Sequence, residues 1–120
     1  MQSVTLILPY PVSANRYWRS YATEQGTVRV VKTPEARVYQ QKVFWLAKSQ
    51  GIRKIKGNVR IRMYLYGGRM DIDNAIKPTL DALQGAAYQN DRQVTSVSIE
   101  RMADDGAGDR LEVEVDGIEV

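Results

Sequence analysis

Val59-Arg60-Ile61-Arg62-Met63-Tyr64-Leu65-Tyr66-Gly67-Gly68-Arg69-Met70-Asp71-Ile72-Asp73-Asn74-Ala75-Ile76-Lys77-Pro78-Thr79-Leu80-Asp81 changes its hydrophobic period halfway along. Up to Tyr66 the pattern alternates. Val59, Ile61, Met63 and Leu65 point one way and Arg60, Arg62, Tyr64 and Tyr66 the other, as in a strand with one face on a core. Gly67-Gly68 interrupts it. From Asp73 the period is helical: Ile76, Leu80 and Leu83 share a stripe, with Ile72 just before it. Asp73, Lys77 and Asp81 form a neighbouring polar stripe, with Asn74 beside them. That polar stripe borders the buried face, where a cleft can form. Gly85 closes the helix. Pro78 inside it implies a late start or a kink, because proline is comfortable only in a first turn.

Downstream, Val94–Met102 and Arg110–Asp116 read as two further strands, joined by the turn-forming run Ala103-Asp104-Asp105-Gly106-Ala107-Gly108-Asp109. Upstream, Thr33 as N-cap and Pro34 at the first helical position open a helix over 34–50, which Gly51 stops. Val4–Leu8 is a short β-branched strand closed by Pro9 and Pro11. Residues 9–32 read as a long irregular segment in which Thr27–Val31 adds a short strand. Tyr17 and Trp18 are expected to anchor it to the core with the arginines outward. No repeat or linker divides the chain. The expected fold class is α+β, two-layer: a mixed, largely antiparallel sheet with two helices on one face, as a single domain over 1–120.

The chain has 120 residues, 43% hydrophobic and 26% charged, which suits one globular domain with a real core. No apolar run approaches the length of a membrane span. The first residues lack the basic start and apolar stretch of a secretory signal, so cytoplasmic residence is the expectation. There is no cysteine and no histidine. Thiolate nucleophiles, zinc ribbons, imidazole bases and Ser-His dyads are thereby excluded. Catalysis would have to use carboxylates, lysine, tyrosine, hydroxyls or backbone. An all-oxygen donor set favours a hard cation, magnesium or manganese.

Charge is unevenly spread. Residues 104–120 hold seven acids against one base, Arg110, while residues 1–103 carry 16 bases and seven acids, a net +9. Four of those seven acids are Asp71, Asp73, Asp81 and Asp91. A basic body with its few acids gathered in one place suits a polyanionic ligand and a metal site within it. In the 9–32 segment Arg16 and Arg19 interleave with aromatics, the composition that grips phosphates and stacks on unpaired bases. Asp-x-Asp at a helix start also has a purely structural use: it complements the helix dipole, and Asp73 or Asn74 can cap the helix. Asp81 reads most simply as an ion-pair partner for Lys77. Asp91 joins Asp71 and Asp73 if the strand from Val94 pairs with the 59–66 strand. Carboxylates so gathered need a divalent ion to offset their repulsion, and such a centre hydrolyses phosphodiesters. An EF-hand does not fit, since the loop counted from Asp71 has Ala75, Ile76 and Ala82 where ligand, glycine and glutamate belong.

At these residues the chain resembles the RusA-type Holliday junction resolvases, phage-borne endodeoxyribonucleases. The resemblance is carried by Asp71-x-Asp73-Asn74-x-x-Lys77, by Asp81-Ala82-Leu83 and by Asn90-Asp91-x-Gln93-Val94. The opening Leu8-Pro9-Tyr10-Pro11-x-Ser13-x-Asn15-Arg16-Tyr17 and the late Arg110-Leu111-Glu112-Val113 extend it over nearly the whole chain. The resemblance implies catalytic Asp71, Asp73, Lys77 and Asp91, with the three aspartates as metal ligands for Mg2+ (Mn2+ possible). It implies a homodimer that cuts symmetrically related strands of a four-way junction in DNA recombination and repair. The DNA contacts expected are Asn15, Arg16, Arg19, Arg69 and Asn74. A C2 dimer with one acid site per subunit matches the two-fold symmetry of a junction. The competing readings are a non-catalytic branched-DNA-binding protein and a flap or single-strand nuclease.

Overall fold

The computed structural model describes residues 2–118. The elements run β1 (Ser3–Pro9), α1 (Ala14–Tyr17), β2 (Trp18–Ala22), β3 (Val28–Lys32), α2 (Pro34–Ser49), β4 (Val59–Tyr66), α3 (Asp73–Leu83), β5 (Val94–Met102) and β6 (Arg110–Gly117). Four strands form one mixed sheet in the order β1-β6-β4-β5, and β2 and β3 form a separate hairpin. The fold is α+β as expected, with the short α1 as a third helix.

The alternation in β4 sets the layers. Val59, Ile61, Met63 and Leu65 are buried, as are Leu111, Val113 and Val115 of β6 and Leu6 and Leu8 of β1. Met63 lies opposite Val113 in an antiparallel pair and opposite Ile99 in a parallel one, so these side chains share a face. Ala36, Tyr39, Val43 and Ala47 of α2 and Ala75, Thr79, Ala82 and Leu83 of α3 complete the core with them. The opposite face is polar. There Arg62 pairs with Glu114 at 3.0 Å and Asp116 at 2.8 Å, and Arg60 reaches Asp116 at 3.3 Å.

The helix starts differ in kind. Thr33 Oγ1 accepts the Ala36 N–H at 3.2 Å, with Pro34 in the first turn, so α2 begins as its sequence indicates. At α3 the N-cap position is Ile72, with no side-chain cap, so neither Asp73 nor Asn74 caps the helix. The turn is closed by backbone alone, Asn74 N–H to the Asp71 carbonyl (3.0 Å) and Ala75 N–H to Ile72 (3.1 Å). The helix runs through Pro78, which is buried. Thr79, fully buried next to it, returns its hydroxyl to the Ala75 carbonyl at 2.7 Å.

Residues 9–32 are more regular than the sequence indicates, which corrects that reading in part: the expected strand over Thr27–Val31 is present as β3, and the added elements are α1 and β2. They form α1 and a hairpin in which Tyr21 faces Arg29 and Ala22 faces Val28. The alternation was masked because the hairpin has no buried face: Val28 and Val30 are 70% and 66% exposed. Tyr17 is fully buried and Trp18 half-buried while Arg16 and Arg19 point outward, so the anchoring is as expected. Thr33 ties the hairpin base to α1, donating its backbone N–H to the Tyr17 carbonyl at 3.0 Å. Among the described residues no helix is long and apolar enough to cross a membrane.

Candidate active site

The polypeptide leaves the C-terminal end of β4 through Gly67 and Gly68, with φ of +73° and +65°. A Cβ on Gly68 would overlap the Tyr10 ring, and one on Gly67 the Asp109 carboxylate, so both positions need glycine on two counts. Tyr10 then pins the next segment: its hydroxyl accepts the Met70 N–H at 3.2 Å. From the other side the Arg101 guanidinium, at the end of β5, donates to the Met70 carbonyl. Held at both backbone groups of Met70, the chain enters α3 with Asp71 and Asp73 exposed at its N-terminal end. The dipole of a helix start favours negative charge there, which suits acidic side chains at this position.

Lys77 lies one turn further along, exposed, with its Nζ 5.3 Å from the centre of the Trp18 ring. Its expected partner Asp81 is taken elsewhere. Asp81 accepts the Tyr17 hydroxyl at 2.6 Å and pairs with Lys32 at 2.9 Å. The tertiary approach of α1 and β3 to α3 outcompetes the i,i+4 pair, because a half-buried carboxylate gains more from two close donors than from one solvated lysine. Lys77 is left available. Burial, and then the hydrogen bond to Asp81, raise the Tyr17 hydroxyl pKa well above the ordinary tyrosine range, so it acts as a donor to Asp81 at all working pH values.

Asp91 is not beside Asp71 and Asp73 within one chain, and this corrects the expected convergence. It begins a 3-10 turn, Asp91–Gln93, capped by Asn90, whose Oδ1 accepts the Arg92 N–H at 2.9 Å. Gln93 Oε1 accepts the Asn90 N–H at 3.0 Å in return. The Asp91 N–H donates to Gln84 Oε1 at 3.0 Å, at the far end of α3 from Asp73. An 11-residue helix spans roughly 16 Å. The strand from Val94 does pair with β4, but in parallel, Val59 facing Val94. A parallel β4-α3-β5 crossover sets the start of β5 beside the start of β4, and α3 begins at the opposite end. Accordingly, no group of three acidic side chains among the described residues could hold a metal ion.

What one chain offers a cation here is Asp71 and Asp73, both exposed and, among the described residues, in no salt bridge. Hard cations with reluctant dehydration are commonly held by one or two carboxylates, with water and substrate phosphates completing the shell. These donors fit that description. Of the expected DNA contacts, Asn15, Arg19 and Arg69 are exposed and Asn74 is half-buried beside Asp73. Arg16 is exposed too but pairs with Glu35 at 3.0 Å. Tyr10 and Arg101, which hold the acid-bearing turn, were not singled out from the sequence as site residues. Tyr10 lies in the Pro9-Tyr10-Pro11 run, whereas nothing local distinguishes Arg101 from other strand-end arginines.

The family model described as Endodeoxyribonuclease RusA matches residues 9–116, nearly the whole chain. No curated protein matches it.

Proposed function

Starting from the chain's membership of the RusA endodeoxyribonuclease family, whose activity is on DNA junctions, we propose that it is a divalent-metal-dependent homodimer resolving four-way junctions by paired symmetric nicks, in DNA recombination and repair. The observation that carries this reading is the state of Asp71 and Asp73: exposed at a helix start and, among the described residues, in no ion pair, in a body where Asp81 and Glu35 are both neutralised by neighbours. Two like charges held this way cost stability unless a ligand uses them.

Asp71 and Asp73 would hold Mg2+ or Mn2+, with Asp91 as the third carboxylate. When bound, the cation supplies an activated water and offsets charge building on the phosphate oxygens. Lys77 faces the same side of α3 as Asp73 and would contact the scissile phosphate or donate a proton to the departing oxygen. Asn15, Arg16, Arg19, Arg69 and Asn74 grip the backbone around it, Arg16 by exchanging Glu35 for a phosphate. Because one chain sets Asp91 at the far end of α3 from Asp73, Asp91 is supplied by the other protomer of the dimer. Each of the two equivalent sites then takes Asp71 and Asp73 from one subunit and Asp91 from its partner, one site for each of two symmetry-related strands.

The test is a synthetic mobile junction incubated with and without magnesium, with the nicks mapped. Cleavage should require the ion and fall on two symmetric strands. Asp71→Asn or Asp73→Asn should abolish cleavage while junction binding is kept or strengthened, and unchanged cleavage would remove these residues as ligands. Mixing inactive Asp71→Asn with inactive Asp91→Asn protein should restore nicking in one strand, since a shared arrangement leaves one site of the heterodimer intact. A mixture as inactive as its components would refute sharing.

A further inference from the structure

β5 closes one side of the four-stranded sheet, and among the described residues no strand pairs with its outer edge. It is nine residues long and contains neither proline nor lysine, the residues that commonly protect such an edge. We propose that β5 is the dimerisation surface, and that its partner is a second copy of β5 running antiparallel about a two-fold axis near Val97. The proposal deepens the shared-site reading above and rests on it.

Three observations lead there. The first is register. With Val97 opposite itself, Asp91 of one protomer falls opposite the partner's Ala103, two residues past the partner's Arg101. Arg101 is the residue that holds the Met70 carbonyl, immediately before Asp71. Pairing along β5 therefore carries Asp91 to the end of the partner where its Asp71 lies. The second is charge. β5 carries Glu100 and Arg101 near its C-terminal end and none in Val94–Ile99. In this register Glu100 meets the partner's Val94 and Arg101 meets the partner's Gln93, so like charges never face each other.

The third is the flank of α3. Asp81 turns one side of that helix toward Tyr17 and Lys32. Ile76 and Leu80, both half-buried, lie on the opposite flank, with Ile72 (38% exposed) just before them. Val97 and Ile99 of β5 share the core-facing side of the sheet with Ile61 and Met63 and are also only partly buried. A second copy across the β5 edge would cover this apolar strip. The other edge, β1, does not serve: it lies three strands away from β5, roughly 14 Å. Joining there would leave both acid groups on the outer flanks of the dimer. β1 also ends in Pro9, which has no N–H to donate.

The chain has no cysteine, so any engineered thiol is unique. Val97→Cys would face itself across the axis at a Cα separation of about 4.5–5.5 Å, within disulfide reach. On mild oxidation without DNA or metal it should run at twice the 13.6 kDa chain mass, and a mixture of Ser96→Cys and Ser98→Cys should do the same. Thr5→Cys on β1 should stay single. No covalent dimer from either β5 experiment, or a dimer from Thr5→Cys, would overturn the proposal. Ser98→Lys, which sets two cations close across the axis, should weaken the dimer at least tenfold by sedimentation, and the same change at Thr5 should not. A β5-linked dimer whose Asp71→Asn and Asp91→Asn mixture stays inactive would keep this surface while refuting the shared site.

Discussion

Asp116 carries more structural weight than any other acid in the described chain. It is 6% exposed, accepts the Ser3 hydroxyl at 2.5 Å and receives both Arg60 and Arg62. The Ser3 hydroxyl, then the two guanidinium groups, hold its pKa below the ordinary carboxylate range. A depressed carboxylate contributes stability that is fully present above its unfolded pKa and is lost as pH falls through the folded one. Asp105, brought down to about 2 by its hydrogen bond from Arg110, adds a smaller, solvent-screened contribution of the same sign. The melting temperature should therefore drop steeply from about pH 4 downward. Asp116→Asn should flatten that acid limb and cost roughly 2 kcal/mol at neutral pH, less than a fully buried pair because both arginines reach solvent. Gly68 tests a residue of another kind. Gly68→Ala meets both a positive φ and the Tyr10 ring. It should cost about 1–3 kcal/mol and lower junction cleavage further than its stability loss explains, because Tyr10 positions Met70 and hence Asp71.

Among the elements, the β2–β3 hairpin stands out because it has almost no core of its own. Isolated two-stranded ribbons are marginal in water. This one is held at its base by Thr33, by Tyr17 in the core, and by Asp81 of α3 through Lys32 and Tyr17. Asp81 is thus a tie between the hairpin and the helix that bears the acid pair. Asp81→Ala should cost about 1–3 kcal/mol, from an unpaired buried hydroxyl on Tyr17 and a freed Lys32. Hydrogen exchange should rise across Trp18–Lys32 while the β4–β6 pairing stays protected. Equal loss of protection in the central strands would show that the hairpin folds as part of the core. The acid-bearing helix start illustrates the reverse economy, with its geometry fixed from outside by Tyr10, Arg101 and the two glycines rather than by a cap.

For the whole molecule the relevant quantity is the charge imbalance. A body of net +9 over residues 1–103 should bind DNA with affinity that falls steeply as salt rises, since each neutralised phosphate releases counter-ions. Arg19→Ala and Arg69→Ala should each reduce the slope of log affinity against log salt by about 1. Arg16→Ala should reduce it less, because freeing Arg16 breaks its bond to Glu35. Slopes unchanged by all three would move the DNA interface elsewhere on the molecule. The same measurement on Asp71→Asn should show tighter binding, as removing one negative charge from the contact relieves repulsion of the phosphate.

The four-stranded sheet, α2 and α3 were legible in the sequence because each has one buried face, and a buried face writes its period into the order of apolar residues. Of the hairpin only the β-branched strand near Val28–Val31 was, since neither strand buries a face and the pairing with Trp18–Ala22 leaves no such mark. The candidate site divides in the same way. Asp73 and Lys77 are neighbours because one helix spaces them four residues apart, and Asp71 precedes that helix by two residues, so their closeness in sequence could be read directly. The position of Asp91 depends on whether β5 runs parallel or antiparallel to β4, which no local pattern encodes. The partner of Asp81 likewise depends on which distant side chains pack nearest. Tertiary structure alone decided both, because parallel pairing set one end of α3 against Asp91 and the other against Asp71 and Asp73.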